Sequence, residues 1–433
     1  MITNKNSVIK YAMGGLALAC CLMMPAQTKA ASNDAANPVS AGAISVEDIK
    51  KNKDEVKALE EIIEEYVIDN AYIREERDDI NNEKYYKWSE DGHLISINLD
   101  SLDIVDDLTF KAFPQLEEIY CRYNDISGID ITQNKKLKKL YCKVNDLSTI
   151  DTSNNPELLV LRCAWNEITS LDLKKNKKLY TLGAKENEIR SIDISNNEYL
   201  RKLYLSYNKL TEIDLSNNKM LEHVVLRKNR FKKIDFSNNK QMKKIDCRYN
   251  KITKLDFSGN NVIEVINCGD NLLTDLKFKG CGSLKDLNCS FNKLQTLDLA
   301  DAVKLKYLEA YDNELQKLDI SKCNLLRDIS CSVNKLTSID LKNKTNLFEL
   351  SISNNNITNL DVSDCKRLKY LYCYNNKLTG KLDMTKAKNI RSIYCSENKL
   401  EAIDVTGCSK LEYDEEDEDF YDFEYDKGVK IIK

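Results

Sequence analysis

Histidine is nearly missing. The 433-residue chain has two, His93 and His223, far apart and in unlike surroundings. Histidine is the usual base of nucleophilic triads and the commonest metal-ligating side chain, so neither a triad nor a histidine metal cluster can be assembled. No phosphate-binding glycine loop or nucleophile elbow occurs either, and no Cys-x-x-Cys pair offers a zinc spacing. Past residue 31 there is no second long apolar run, and the closing Val429-Lys430-Ile431-Ile432-Lys433 has no L-P-x-T-G sorting signal. The expectation is a chain with no cofactor, metal or catalytic residue, no transmembrane segment once a leader is removed, and no covalent wall anchor. A formal net charge of -4 with 31% charged residues gives a strongly solvated surface, and the near balance argues against a nucleic-acid partner.

What is present begins with a leader. Lys5 and Lys10 precede an apolar run from Tyr11 to Met24, Pro25 breaks it, and Thr28-Lys29-Ala30 offers small residues for cleavage. Residues 1–30 are therefore expected to be a secretory signal, too short to cross a bilayer as a retained helix. Ala17-Leu18-Ala19-Cys20 gives a lipoprotein alternative, without the Leu such a site prefers. The expected location is secreted or cell-surface associated.

The dominant feature is an asparagine every 21 residues: Asn124, Asn145, Asn166, Asn187, Asn208, Asn229, Asn250, Asn271, Asn292, Asn313, Asn334, Asn355 and Asn376, then Asn398 after a one-residue slip. Around each, apolar residues recur eight, five and three positions before and two and five after, with Asp six after in nearly every unit, Lys277 being the exception and Asp383 displaced by one; Leu137, Leu140, Cys142, Asn145, Leu147, Ile150 and Asp151 show one unit. A fixed period of this length means stacked coils, each burying its apolar edge against its neighbours, so function belongs to the outer surfaces. The pattern resembles the leucine-rich repeat, L-x-x-L-x-L-x-x-N/C-x-L, in the short secreted bacterial form that reads L-x-x-L-x-C-x-x-N-x-L-x-x-L-D-L-S-x-N, and is distantly similar to internalins. The resemblance implies an α/β-type solenoid, a horseshoe or arc with a concave parallel β-sheet, an irregular or 3-10 convex side and a helical N-terminal cap. It also implies a non-catalytic scaffold that binds surface proteins through its concave face. The internalins' 22-residue period, immunoglobulin-like module and wall anchor are not found, so host-cell entry is not carried over.

The expected divisions are a flexible linker over 31–43, an N-terminal cap over 44–93, repeats over 94–411 with a degenerate first coil, and an acidic cap over 412–433. Ser45 and Asp48 form a capping box ahead of Val56, Leu59, Ile62, Ile63, Tyr66 and Val67 on one helical face. Leu94, Ile97 and Leu99 stand 22 residues before Leu116, Ile119 and Cys121, and Phe110 and Phe113 add bulk where the regular stack has not begun.

Each column has a structural and a functional reading. The Asn amides can satisfy backbone groups of adjacent coils where the strand turns, which makes them structural. The Asp column, Asp130 to Asp404, lacks the interleaved Gly of calcium-binding solenoids and reads as turn capping, with Asp193-Ile194-Ser195 as an example. Thirteen cysteines follow the leader. Nine (Cys121, Cys142, Cys163, Cys247, Cys268, Cys289, Cys331, Cys373, Cys395) share an inward strand position that Leu, Ile and Ala fill elsewhere, so they read as small apolar groups. Cys281, Cys323, Cys365 and Cys408 instead continue a second Asn column, Asn134 to Asn260.

Positions six, four and two before each Asn should face the concave side. In the first seven coils they carry Arg122, Lys139, Lys143, Arg162, Lys185, Lys202, Arg227, Lys244 and Arg248 against Glu118 and Asp246. In the last seven they carry no Lys or Arg, but Asp286, Glu309, Asp328, Glu349 and Tyr307, Tyr311, Tyr370, Tyr372, Tyr374 and Tyr394. The expectation is a monomer whose basic half steers a protein or glycoprotein, acidic in character, onto tyrosine anchors. The alternatives are a self-associating surface-coat protein and the targeting arm of an enzyme system.

Overall fold

A computed structural model of the chain describes residues 49–67, 74–411 and 422–433. The leader, the linker, the Ser45–Asp48 capping box and residues 412–421 of the acidic run lie outside these residues.

Each repeat is one coil. In the strand Lys139–Tyr141 the central Leu140 is fully buried while Lys139 and Tyr141 are half-buried, the two-residue alternation a sheet imposes. Cys142 follows, also buried. The next strand pairs parallel and one coil on, Lys139 with Val160, Leu140 with Leu161 and Tyr141 with Arg162. This pairing continues until 17 strands form one sheet, antiparallel only where its first strand, Tyr86–Trp88, meets Leu94–Asn98. The residue before each Asn takes positive φ, between 48° at Asn375 and 60° at Val144, which turns the chain out of the strand. The convex return is irregular: turns and short parallel pairs such as Lys254–Asp256 with Asp275–Lys277, with no 3-10 helix among the described residues.

The first end is closed by the helix Lys53–Tyr66, which buries Leu59 and Ile63. Its N-cap is Asn52, whose side chain accepts the Asp54 and Glu55 N–H groups at 3.0 and 3.2 Å, so the helix starts later than a Ser45 cap would place it. Buried Glu55 accepts the Leu94 N–H at 2.7 Å and meets His93 Nδ1 at 2.7 Å, tying the helix to the first coil. Gly92, at φ 84°, makes the hairpin turn; a Cβ there would lie 2.3 Å from the Lys50 carbonyl oxygen. Phe110 and Phe113 are both buried in the core of the first coils.

At the other end, Phe423–Glu424 extends the concave sheet and Lys430–Ile432 extends the convex one. Asp426 accepts the Glu397 and Asn398 N–H groups at 2.7 and 2.9 Å, bonds a further coil would otherwise supply.

Candidate binding face

Two amide ladders tie successive coils together, one at each end of the concave strands. Asn145 donates to the Cys121 carbonyl of the preceding coil at 2.9 Å and to its own Cys142 carbonyl at 3.2 Å, and its Oδ1 accepts the Ile126 N–H at 3.1 Å. Each such amide therefore closes three backbone groups. The second column is fully buried: Asn155 donates to the Ile131 and Asn134 carbonyls at 3.0 and 2.9 Å, yet its Oδ1 has no partner. Where Cys323 takes this place, its thiol reaches the Leu299 and Ala302 carbonyls at 3.7 and 3.5 Å and has no second polar atom to satisfy. Lys344, also fully buried, fills another such place, with Nζ on Asn324 Oδ1 and the Lys342 carbonyl, both at 3.1 Å.

The Asp column closes turns. Asp193 Oδ1 accepts the Ser195 N–H at 3.0 Å and its hydroxyl at 2.6 Å, and those bonds hold the carboxyl below its ordinary range. The 13 described cysteines are all buried free thiols, and burial pushes Cys163 and Cys289 up to about 12.

The concave side chains separate into paired and unpaired cations. Lys139 is bound to Glu118 at 2.7 Å, Arg248 to Asp246 at 2.6 Å, and Arg122 to Asp100 of the first coil at 2.6 Å. Lys185 lies 4.0 Å from Glu186. Lys143, Arg162, Lys202, Arg227 and Lys244 have no ion pair among the described residues. These unpaired cations carry the positive field of the half, and counting charges coil by coil misses the distinction because the neutralising partner often sits on the next coil. Burial and the charges of Lys244 and Lys202 push His223 below its usual range, so it adds no charge at neutral pH.

In the other half, Asp286, Glu309, Asp328 and Glu349 stand on successive strands. Burial raises each carboxyl, and Asp286 and Asp328 raise Glu309 and Glu349 respectively. One oxygen of Asp328 has no hydrogen-bond partner. Tyr372 and Tyr394 stack at 5.2 Å, and Tyr370 meets Phe348 edge-on at 5.5 Å. Tyr311 packs on Phe291 at 5.1 Å, and Tyr307 accepts from Arg327 at 3.4 Å. Ring contact joins Tyr372 to Tyr394 directly, while Tyr311 and Tyr370 pack on phenylalanines. The basic half has an aromatic pair of its own that the charge pattern of its sequence does not signal: Tyr120 and Tyr141 stack at 4.8 Å.

Residues 345–384 match the family profile for Leucine Rich repeats (2 copies). The functional domain of InlJ from Listeria monocytogenes, which includes a cysteine ladder, is 30% identical with a TM-score of 0.63, covering 73% of this chain and 66% of that one. A leucine-rich repeat protein of Leptospira interrogans is 21% identical with a TM-score of 0.62, covering 73% of this chain and 95% of its own. An internalin, InlF, from Listeria monocytogenes is 17% identical with a TM-score of 0.50, covering 85% and 96%. No curated protein matches the chain. Stacked coils with a parallel concave sheet and an asparagine at every turn define a leucine-rich repeat protein. Within that class this chain is internalin-like. Among the described residues no helix is long and apolar enough to cross a membrane.

Proposed function

We propose that the chain is an exported, non-catalytic recognition scaffold that binds a protein or glycoprotein through its concave face. The observation that carries this reading is the division of that face into unpaired cations (Lys143, Arg162, Lys202, Arg227, Lys244) and clustered tyrosines (Tyr370, Tyr372, Tyr394). Unpaired cations attract an acidic partner at range, whereas large rigid aromatics hold a formed complex. Surface extracts passed over the full chain, over a Lys185→Glu, Lys202→Glu, Arg227→Glu variant and over a Tyr370→Ala, Tyr372→Ala, Tyr374→Ala variant test this. A partner should associate more slowly with the first variant, with its salt dependence lost, and dissociate faster from the second. A partner whose two rates ignore both variants binds elsewhere and removes the concave-face reading.

A further inference from the structure

The residue just before each ladder Asn, at the rim where the strand turns, forms a column of its own. In alternate coils it holds Tyr123, Trp165, Tyr207, Tyr249 and Phe291, a spacing of 42 residues. Four of these rings are 40 to 49% exposed, and Tyr207 is half-buried. All five sit at φ 55° to 59°, a left-handed conformation that Asn, Asp and Gly adopt most easily. Later coils do use Asp312, Asn354 and Asn375 there. Bulky, exposed aromatics at a turn that disfavours them add nothing to the core, so their presence points to contact with a ligand.

A second column shares the two-coil period. Lys143, Lys185 and Arg227 stand in the intervening coils, again 42 residues apart. Lys143 lies 5.2 Å from the Tyr123 ring, Lys185 lies 5.0 Å from both Trp165 and Tyr207, and Arg227 lies 4.7 Å from Tyr249. Between the rings the rim position itself holds Val144, Glu186, Lys228 and Asp270, and the cation one place before it lies over the neighbouring ring in three of these coils, with Lys228 adding a fourth at 4.8 Å from Tyr207. Two strand spacings come to about 10 Å, which is the rise of one disaccharide in an extended glycan chain. An acidic glycan that alternates a uronic acid with a hexosamine offers one sugar face and one anion per such step.

We infer that this rim binds an extended acidic polysaccharide, one disaccharide per pair of coils, with sugars against the five rings and carboxylates at the three cations. The site lies outside the concave columns on which the protein-binding reading rests and shares only those cations with it. Single-stranded nucleic acid also combines stacking with negative charge, but its repeat does not match a rung every second coil.

The experiment titrates the full chain with hyaluronan tetra- and decasaccharides, a neutral chitin oligosaccharide of the longer length, and a thymidine 20-mer. Trp165 is the exposed tryptophan and Trp88 is buried, so intrinsic fluorescence reports the rim. The hyaluronan decasaccharide should bind about tenfold more tightly than the tetrasaccharide, and more tightly than chitin, with an affinity that falls as salt rises. Tyr207→Asn with Tyr249→Asn, which suits the turn and leaves the Trp165 reporter in place, should weaken it about tenfold, and Lys185→Glu should do the same. No binding to either glycan, binding indifferent to length or to these substitutions, or equal binding of the thymidine oligomer overturns the proposal. A protein partner retained by the Asn double variant leaves the concave-face reading standing whatever the rim does.

Discussion

The first seven coils and the last seven follow the same path and differ in what closes and coats them. Up to Asn260 the second ladder is built of buried amides; beyond it Cys281, Ala302, Cys323, Lys344, Cys365, Ala387 and Cys408 take the place. The concave coat changes over the same coils, from cations to raised carboxylates and tyrosines. The comparison separates two requirements. The first Asn column runs without a gap from end to end, because each amide closes three backbone groups that no other side chain in the coil reaches. The second column tolerates replacement: at Asn134, Asn155, Asn197, Asn218 and Asn239 the amide leaves its own oxygen unpaired, so a thiol with one weak donor gives up less there.

The largest effect expected is common to both halves. Asn145→Ala and Asn334→Ala each strand several buried backbone groups at about 1–3 kcal/mol apiece and should shift urea midpoints alike, while Lys202→Ala should stay within about 0.5 kcal/mol. Unequal midpoints for the two Asn variants would mean that the halves are not built of the same coil.

The next separates them. Asn218→Ala removes donors from the Ile194 and Asn197 carbonyls, both at 3.0 Å, and should cost about 1–3 kcal/mol in denaturant melts. Cys323→Ala loses only long sulfur contacts and some volume, and should cost about half as much. Equal costs would show that the thiol is as good a rung as the amide.

The smallest effects differ in sign. Burial raises the Asp328 carboxyl, so its ionised form weighs against the folded state at neutral pH. That penalty is relieved as pH falls through the raised folded value and is gone below the unfolded value of about 3.9. Asp328→Asn should therefore raise the melting temperature at pH 7, by the equivalent of at most about 1 kcal/mol because the side chain is partly exposed, and have no effect near pH 3.5. Asp193 runs the other way. Its carboxyl is lowered by Ser195, so its contribution is present above the ordinary carboxylate value and lost as pH falls through the folded one. Asp193→Asn should lower the melting temperature at pH 7 and converge on the parent in acid.

The coil was legible in the sequence because its signals are local and repeated. Leu140, Cys142 and Asn145 fix which side of the strand faces in, and 14 copies leave one register. The parallel sheet follows, as do the degenerate first coil and a helix near residue 56. The helix start was not legible, since Ser45 and Asn52 are both good caps and tertiary contact through Glu55 selects between candidate ends. The coat was half legible. Faces could be assigned from period two, but that Lys139 is ion-paired depends on Glu118, a coil away. The rim column is hidden by its period of 42 rather than 21: averaged over all coils it looks mixed, and taken every second coil it is aromatic from Tyr123 to Phe291 before giving way to Val333 and Asn375.

The slip before Asn398 has a counterpart in the first coil. In both places the convex pairing shifts register, between Asp106 and Asp107 and between Gly380 and Lys381, at residues with φ 72° and 67°. The concave pairing is undisturbed, Ile97 with Ile119 and Leu371 with Ile393. Coils of 21 and 22 residues can therefore be spliced, duplicated or exchanged within one array. The outer bend absorbs the odd residue, and the concave sheet stays aligned while the gene changes length.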